Sequence, residues 1–200
     1  MTMSTRNGKT RYLVCHDYGM GGVWWWIWAV SPEEVVTTFA ETEVVTDPEQ
    51  VAKAEDWDLD EADVDDPARD DVSLESLRAR RNRQRRLPGF GALAGRDRVH
   101  LRAPGDWDLD SEDPDGAPDG AGDDGFADYV FLTEHGPDGR RIRQVEIRPD
   151  GEAVASDETV WPLNPPVDLY NPALLSKVID AAEFEEAWRR ARFWTDADWD

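Results

Sequence analysis

The segment from Tyr12 to Glu41, YLVCHDYGMGGVWWWIWAVSPEEVVTTFAE, constrains the fold more than any other part of this chain. Two apolar runs, residues 12–15 and 23–30, flank a turn that holds Gly19, Gly21 and Gly22. Glycine tolerates positive φ, so the pattern predicts a β-hairpin with a slightly long loop. Along the second strand, Trp24, Trp26, Trp28 and Val30 point one way, while Val23, Trp25, Ile27 and Ala29 point the other. Both sets are apolar. The strand is therefore expected at the centre of a sheet covered on both faces, unless one face awaits a partner. Ser31 then caps a helix, with Pro32 at the first helical position and Glu34 closing a capping box.

Charge supplies the second constraint, because it is segregated. The chain of 200 residues carries 44 acids against 22 bases, a net charge of −22, and its bases are mostly Arg. Residues 78–104 hold nine Arg against one acid, whereas residues 105–139 hold twelve acids and no base. The overall balance opposes binding to bare nucleic acid or to an anionic membrane, and favours cationic partners. Cys15 is the only cysteine, so no intrachain disulfide and no Cys-based zinc site can form. The polar first eleven residues, and a longest apolar run half the ~20 residues of a bilayer span, lead us to expect a cytoplasmic protein.

Local signals divide the chain into three segments. Residues 1–54 continue from the hairpin and first helix into a short strand at 43–45 and a helix begun by Asp47-Pro48. Residues 55–125 form a charged middle. Within it, 55–71 reads as loop or disorder, Ser73 caps an Arg-rich helix over 74–86, and Val99 and Leu101 suggest a short strand. The stretch 103–125, rich in Gly, Pro and Asp, reads as a flexible linker. Residues 126–200 form a meander of strands at 129–133, 142–147 and 152–155, followed by a helix capped by Asp180 with Glu183 as its box partner. Phe184, Ala187, Trp188 and Ala191 fall at i, i+3, i+4 and i+7 and give that helix a core stripe. The expected fold is α+β: an antiparallel sheet from hairpin and meander, capped helices packed on it, and one core shared by 1–54 and 126–200.

Arg143-Gln144-Val145-Glu146-Ile147, Pro149-Asp150-Gly151 and Glu183-Phe184-Glu185-Glu186-Ala187-Trp188 carry a resemblance beyond these local signals. Over residues 126–193 the chain resembles a small bacterial domain of immunity-protein type, a three-stranded meander closed by a helix. The resemblance implies that fold and an interaction role, and it leaves the Trp-rich hairpin and the acidic middle unassigned.

Catalytic motifs fail on geometry. In a strand Cys15 and Asp17 share one face and His16 the other, so the three cannot form a nucleophile–base pair. Gly19-Met20-Gly21-Gly22 lacks the spacing and the following helix of a phosphate cradle. Asp56, Asp58 and Asp60 fit the first positions of a calcium loop, as do Asp106, Asp108 and Asp110. Position six is Glu61 or Ser111 instead of Gly, and position twelve is Pro67 or Ala117 instead of Glu. A metal site or other cofactor is not expected. What remains is a repeat: Asp56-Trp57-Asp58-Leu59-Asp60 recurs as Asp106-Trp107-Asp108-Leu109-Asp110. Acids framing a lone aromatic suit a cationic protein groove, the charge steering association and the Trp anchoring it. The expected function is an acidic interaction protein that binds a cationic protein without catalysis, through Asp56, Trp57, Asp58, Asp60, Asp106, Trp107, Asp108 and Asp110. The alternative is an enzyme or small-ligand domain with a pocket at His16, Asp17 and Tyr18.

Overall fold

A computed structural model describes residues 5–6, 8–17, 21–105, 128–161 and 163–195. The chain divides into two compact units, Met1–Phe90 and Gly91–Asp200. Helices and largely antiparallel sheets occur in both, an α+β fold. Among the described residues no helix is long and apolar enough to cross a membrane.

The first unit is built on the expected hairpin. Strands β1 (Thr5–Arg6), β2 (Lys9–Asp17) and β3 (Gly22–Ala29) run antiparallel, and Cys15 faces Trp24 while Leu13 faces Trp26 across β2–β3. Helix α1 (Pro32–Thr38) starts as its sequence dictates: the Glu34 N–H donates to Ser31 Oγ at 3.2 Å, and the Val30 N–H donates to Glu34 Oε2 at 2.6 Å. Strand β4 (Glu43–Val44) pairs with β2, and α2 (Pro48–Ala54) begins at an Asp47 cap.

The acidic stretch 55–71 departs from expectation, because it is ordered as structure. It supplies β5 (Glu61–Asp63), parallel to β3, and a 3₁₀ turn at Pro67–Arg69. Two acids can line a strand here because cations reach them from β2. Lys9 donates to Asp63, and Arg11 meets Glu55 at 2.5 Å and Glu61 at 3.2 Å. β3 therefore lies between β2 and β5, covered on both faces. Val14, Trp25 and Ile27 pack with Val35, Phe39, Leu74 and Leu77 on one side. Leu13 and Trp26 pack with Ala54, Val51 and Leu59 on the other.

Helix α3 (Val72–Gln84) is capped by Asp71, not by Ser73. The Leu74 N–H donates to Asp71 Oδ1 at 2.7 Å, and the Trp25 indole N–H takes Oδ2 at 2.9 Å. That second bond selects the earlier cap. The thin stripe of Leu74 and Leu77 continues as buried Arg81 and Gln84, which hydrogen-bond each other at 2.7 Å.

The second unit starts at Gly91, well before residue 126. Its sheet runs β6 (Val99–Pro104), β7 (Val130–His135), β8 (Arg141–Ile147), β9 (Ala153–Asp157) and β10 (Arg192–Phe193), antiparallel apart from the β9–β10 edge. Helix α4 (Ala181–Arg190) covers one face, where Phe184, Ala187, Trp188 and Ala191 pack on Leu132, Val145 and Ile147. Leu93, Val99 and Leu101 close the other face with Val167, Leu169 and Leu174. Because 91–101 packs with 167–174, it belongs with the meander. Hairpin and meander carry separate sheets, each with its own apolar clusters. The Asp180 side chain makes no cap bond, and the Glu183 carboxylate instead meets Arg102 at 2.6 Å.

Candidate functional site

The first copy of the repeat sits in the first unit, between α2 and β5. Its backbone is fixed: the Trp57 N–H donates to the Ala54 carbonyl at 3.0 Å, and the Asp60 carbonyl accepts from the Trp26 N–H at 3.0 Å. Leu59 packs inward beside Trp26 and Ala54. Trp57 stays 41% exposed and meets Trp24 edge to face, with ring centroids 5.6 Å apart at 81°. The indole is thereby held in place while part of its surface faces water. Asp56, Asp58 and Asp60 are all exposed, and their carboxylates meet no cation and no donor among the described residues.

The acids on either side are already occupied. Glu55 and Glu61 hold Arg11, and the Arg11 guanidinium stacks on Trp26 with its carbon 4.2 Å from the ring centroid. Glu61 also accepts the Trp28 indole N–H at 3.1 Å; that bond, against partial burial and helped by Arg11, holds its carboxyl below the usual range. Burial of Lys9 disfavours its charge, but Asp63 and Asp65 outweigh that and raise its pKa. A guanidinium on an indole between two carboxylates is thus present inside this unit. The exposed pentapeptide offers the same indole and acids with the cation missing.

Among the described residues the Arg-rich helix meets none of Asp56, Asp58 and Asp60. Arg78 binds Asp70 at 2.5 Å and the Val64 carbonyl at 2.9 Å, Arg80 pairs with Glu41, and Arg85 donates to the Thr37 carbonyl at 2.5 Å. The second copy, Asp106, Trp107, Asp108 and Asp110, lies outside the described residues, as does Tyr18.

Of the alternative pocket's three residues, His16 and Asp17 are described. His16 Nδ1 donates to the Glu41 carbonyl at 2.8 Å, and Cys15 is buried. Glu41 sits at φ 54°, rare for a residue with a Cβ; its carbonyl bond to His16 and its carboxylate pair with Arg80 hold it there. No group of three or more His, Cys, Asp and Glu side chains able to hold a metal ion occurs among the described residues.

A second polar centre, absent from the sequence-based expectation, lies under α4. Glu134 is 5% exposed and is held by Arg143 and by Arg98 at 3.2 Å, with His100 3.8 Å away. Arg143 also reaches Glu185 at 2.5 Å and lies over the rings of Phe184 and Trp188 at 4.9 and 5.0 Å. Burial lowers the His100 pKa, against the pull of Glu134, so the imidazole is neutral at neutral pH. Two guanidiniums neutralise one buried carboxylate with no nucleophile beside it, an arrangement that pins α4 to the sheet. The visible signal is the alternation of Arg143, Val145 and Ile147 on a strand, which sets a charged residue on an apolar face. No known protein family, curated protein or solved structure matches this chain.

Proposed function

We propose that the protein is an acidic interaction module, of immunity or inhibitor type, that binds a cationic surface of a partner protein without catalysis. One observation carries the reading: Trp57 is braced by Trp24 between three exposed carboxylates that no cation of the described chain occupies. An Arg or Lys side chain of a partner would lie on the indole face with the Asp side chains around it, as Arg11 lies on Trp26 between Glu55 and Glu61. The net charge of −22 adds long-range attraction toward a basic partner. A cytoplasmic location suits the single buried thiol.

The test uses an arginine-rich peptide as probe, titrated at several salt concentrations. Wild type should bind with affinity that falls as ionic strength passes ~0.1 M, where the Debye length is about 10 Å. Trp57→Ala should mainly speed dissociation, since a desolvated aromatic anchor acts after encounter. The Asp56→Asn, Asp58→Asn, Asp60→Asn triple variant should slow association. If both variants bind like wild type, attraction is spread over the whole surface and the pentapeptide is not the site. Trp107→Ala, measured in parallel, asks whether the second copy contributes.

A further inference from the structure

Among the half-buried arginines of the second unit, Arg141 stands apart. Arg98 and Arg143 meet Glu134, Arg102 meets Glu183, and Arg192 meets Glu152. Arg141 meets no carboxylate among the described residues, although this chain has twice as many acids as bases. It is half-buried at the start of β8, on the sheet face opposite α4. Its Nη1 donates to Gln144 Oε1, and its guanidinium carbon lies 4.0 Å from the ring centroid of Trp161.

The surroundings fix this geometry. Asn164 clamps the Arg141 backbone, accepting from its N–H at 3.1 Å and donating to its carbonyl at 2.8 Å. The Trp161 indole N–H donates to Ser156 Oγ at 3.2 Å. The nearby ring of His135 brings no negative charge. It donates from Nδ1 to the Gly139 carbonyl at 2.9 Å and accepts from the Thr133 hydroxyl at 2.9 Å. What is left over are donors. The Nε and Nη2 edge of Arg141 has no partner among the described residues and is not sealed from solvent. Gln144, having accepted through its oxygen, keeps an amide NH₂ to give, and Ser156, its pairing partner on β9, has accepted the indole and keeps its own proton to give.

A desolvated cation without a counter-charge is costly, and burial alone lowers the Arg141 pKa to about 10. A pre-positioned guanidinium fork suits a planar oxoanion, which it can bind through two parallel hydrogen bonds. We propose that Arg141, Trp161, Gln144 and Ser156 form a binding site for the oxoanion group of a small ligand, a carboxylate or a phosphate. This site lies in the second unit and is independent of the Trp57 surface in the first.

The test keeps ionic strength constant with sodium chloride, because salt alone stabilises a chain of this charge. The full-length protein is titrated with sodium phosphate and, separately, with sodium acetate. The Arg141 Nε–H resonance, assigned by its loss in Arg141→Lys, is followed by NMR, with the melting temperature beside it. A saturable shift with phosphate alone identifies a phosphate-bearing ligand, with acetate alone a carboxylate, and with both an oxoanion of either kind. Arg141→Lys, which keeps the charge and loses the fork, should bind at least about tenfold more weakly by melting shift. Trp161→Leu should also weaken binding, by releasing the guanidinium. No saturable shift of the wild-type resonance with either anion overturns the proposal, whatever the variants do. So does an equal melting response in wild type and Arg141→Lys.

Discussion

Trp26 is the residue on which most of the first unit converges. It is buried, it packs with Leu13 and Ala54, and it carries the Arg11 guanidinium on its face. Trp26→Ala should cost on the order of 3–5 kcal/mol, as a large core truncation that also strips Arg11 of its platform. Chemical denaturation checks this, and a change below about 1 kcal/mol would mean the indole is not part of the core. His135 gives a pH prediction. Burial first, and then the charges of Arg141 and His100, hold its pKa at about 4, against a usual value of 6.5. The folded state therefore refuses a proton that the unfolded chain accepts, so this residue costs stability as pH falls from about 6.5 toward 4. The full effect is on the order of 3 kcal/mol. Relative to wild type, His135→Gln should be most destabilised near neutral pH and should lose that deficit as the solution is acidified. A deficit that stays constant with pH would show that the imidazole titrates normally.

Strand β5 shows where local reading reaches its limit. Ser31, Pro32 and Glu34 announce α1 because all three signals lie within four positions, and the structure forms the Ser31 cap bond, the Glu34 carboxylate accepting the N–H of Val30, one residue before the cap. Glu61-Ala62-Asp63 announces nothing, because Lys9 and Arg11, which neutralise it, lie about fifty positions earlier. The same limit hid Arg81. The spacing of 74, 77, 81 and 84 is that of a buried helix face, but Arg and Gln at the last two positions read as solvent-facing. In the pentapeptide, residue types and an exposed anchor were legible. The brace from Trp24 was not, since it depends on how β3 meets the end of α2. Removing both cations tests the account of β5. Lys9→Ala with Arg11→Ala should cost about 2 kcal/mol or more, leaving Glu61 and Asp63 without their cations beside the indoles. It should also raise amide exchange at Val64, whose N–H donates to the Trp28 carbonyl at 3.1 Å. If exchange there is unchanged, the strand is held by its backbone and by Ala62 alone.

At the scale of the whole molecule, each unit owns a sheet with apolar clusters on both faces. Fragment 1–90 should therefore fold by itself and show the near-ultraviolet dichroism of immobilised tryptophans. An unfolded spectrum would show that its core depends on the rest of the chain. Within that fragment, the two apolar faces of β3 have a consequence for folding errors. In most strands a slip of one position is penalised because greasy side chains would turn toward water. Here the penalty is weak, since Trp, Val and Ile occupy both sides. Correct pairing has to be recognised by polar atoms instead. The Trp25 indole finds Asp71 and the Trp28 indole finds Glu61, and either bond is lost if the strand shifts by one. Asp71 at the same time starts α3. One carboxylate thus checks the alignment of the hairpin and licenses the helix that covers it, so a misaligned strand would leave that helix without its cap and the error exposed to correction.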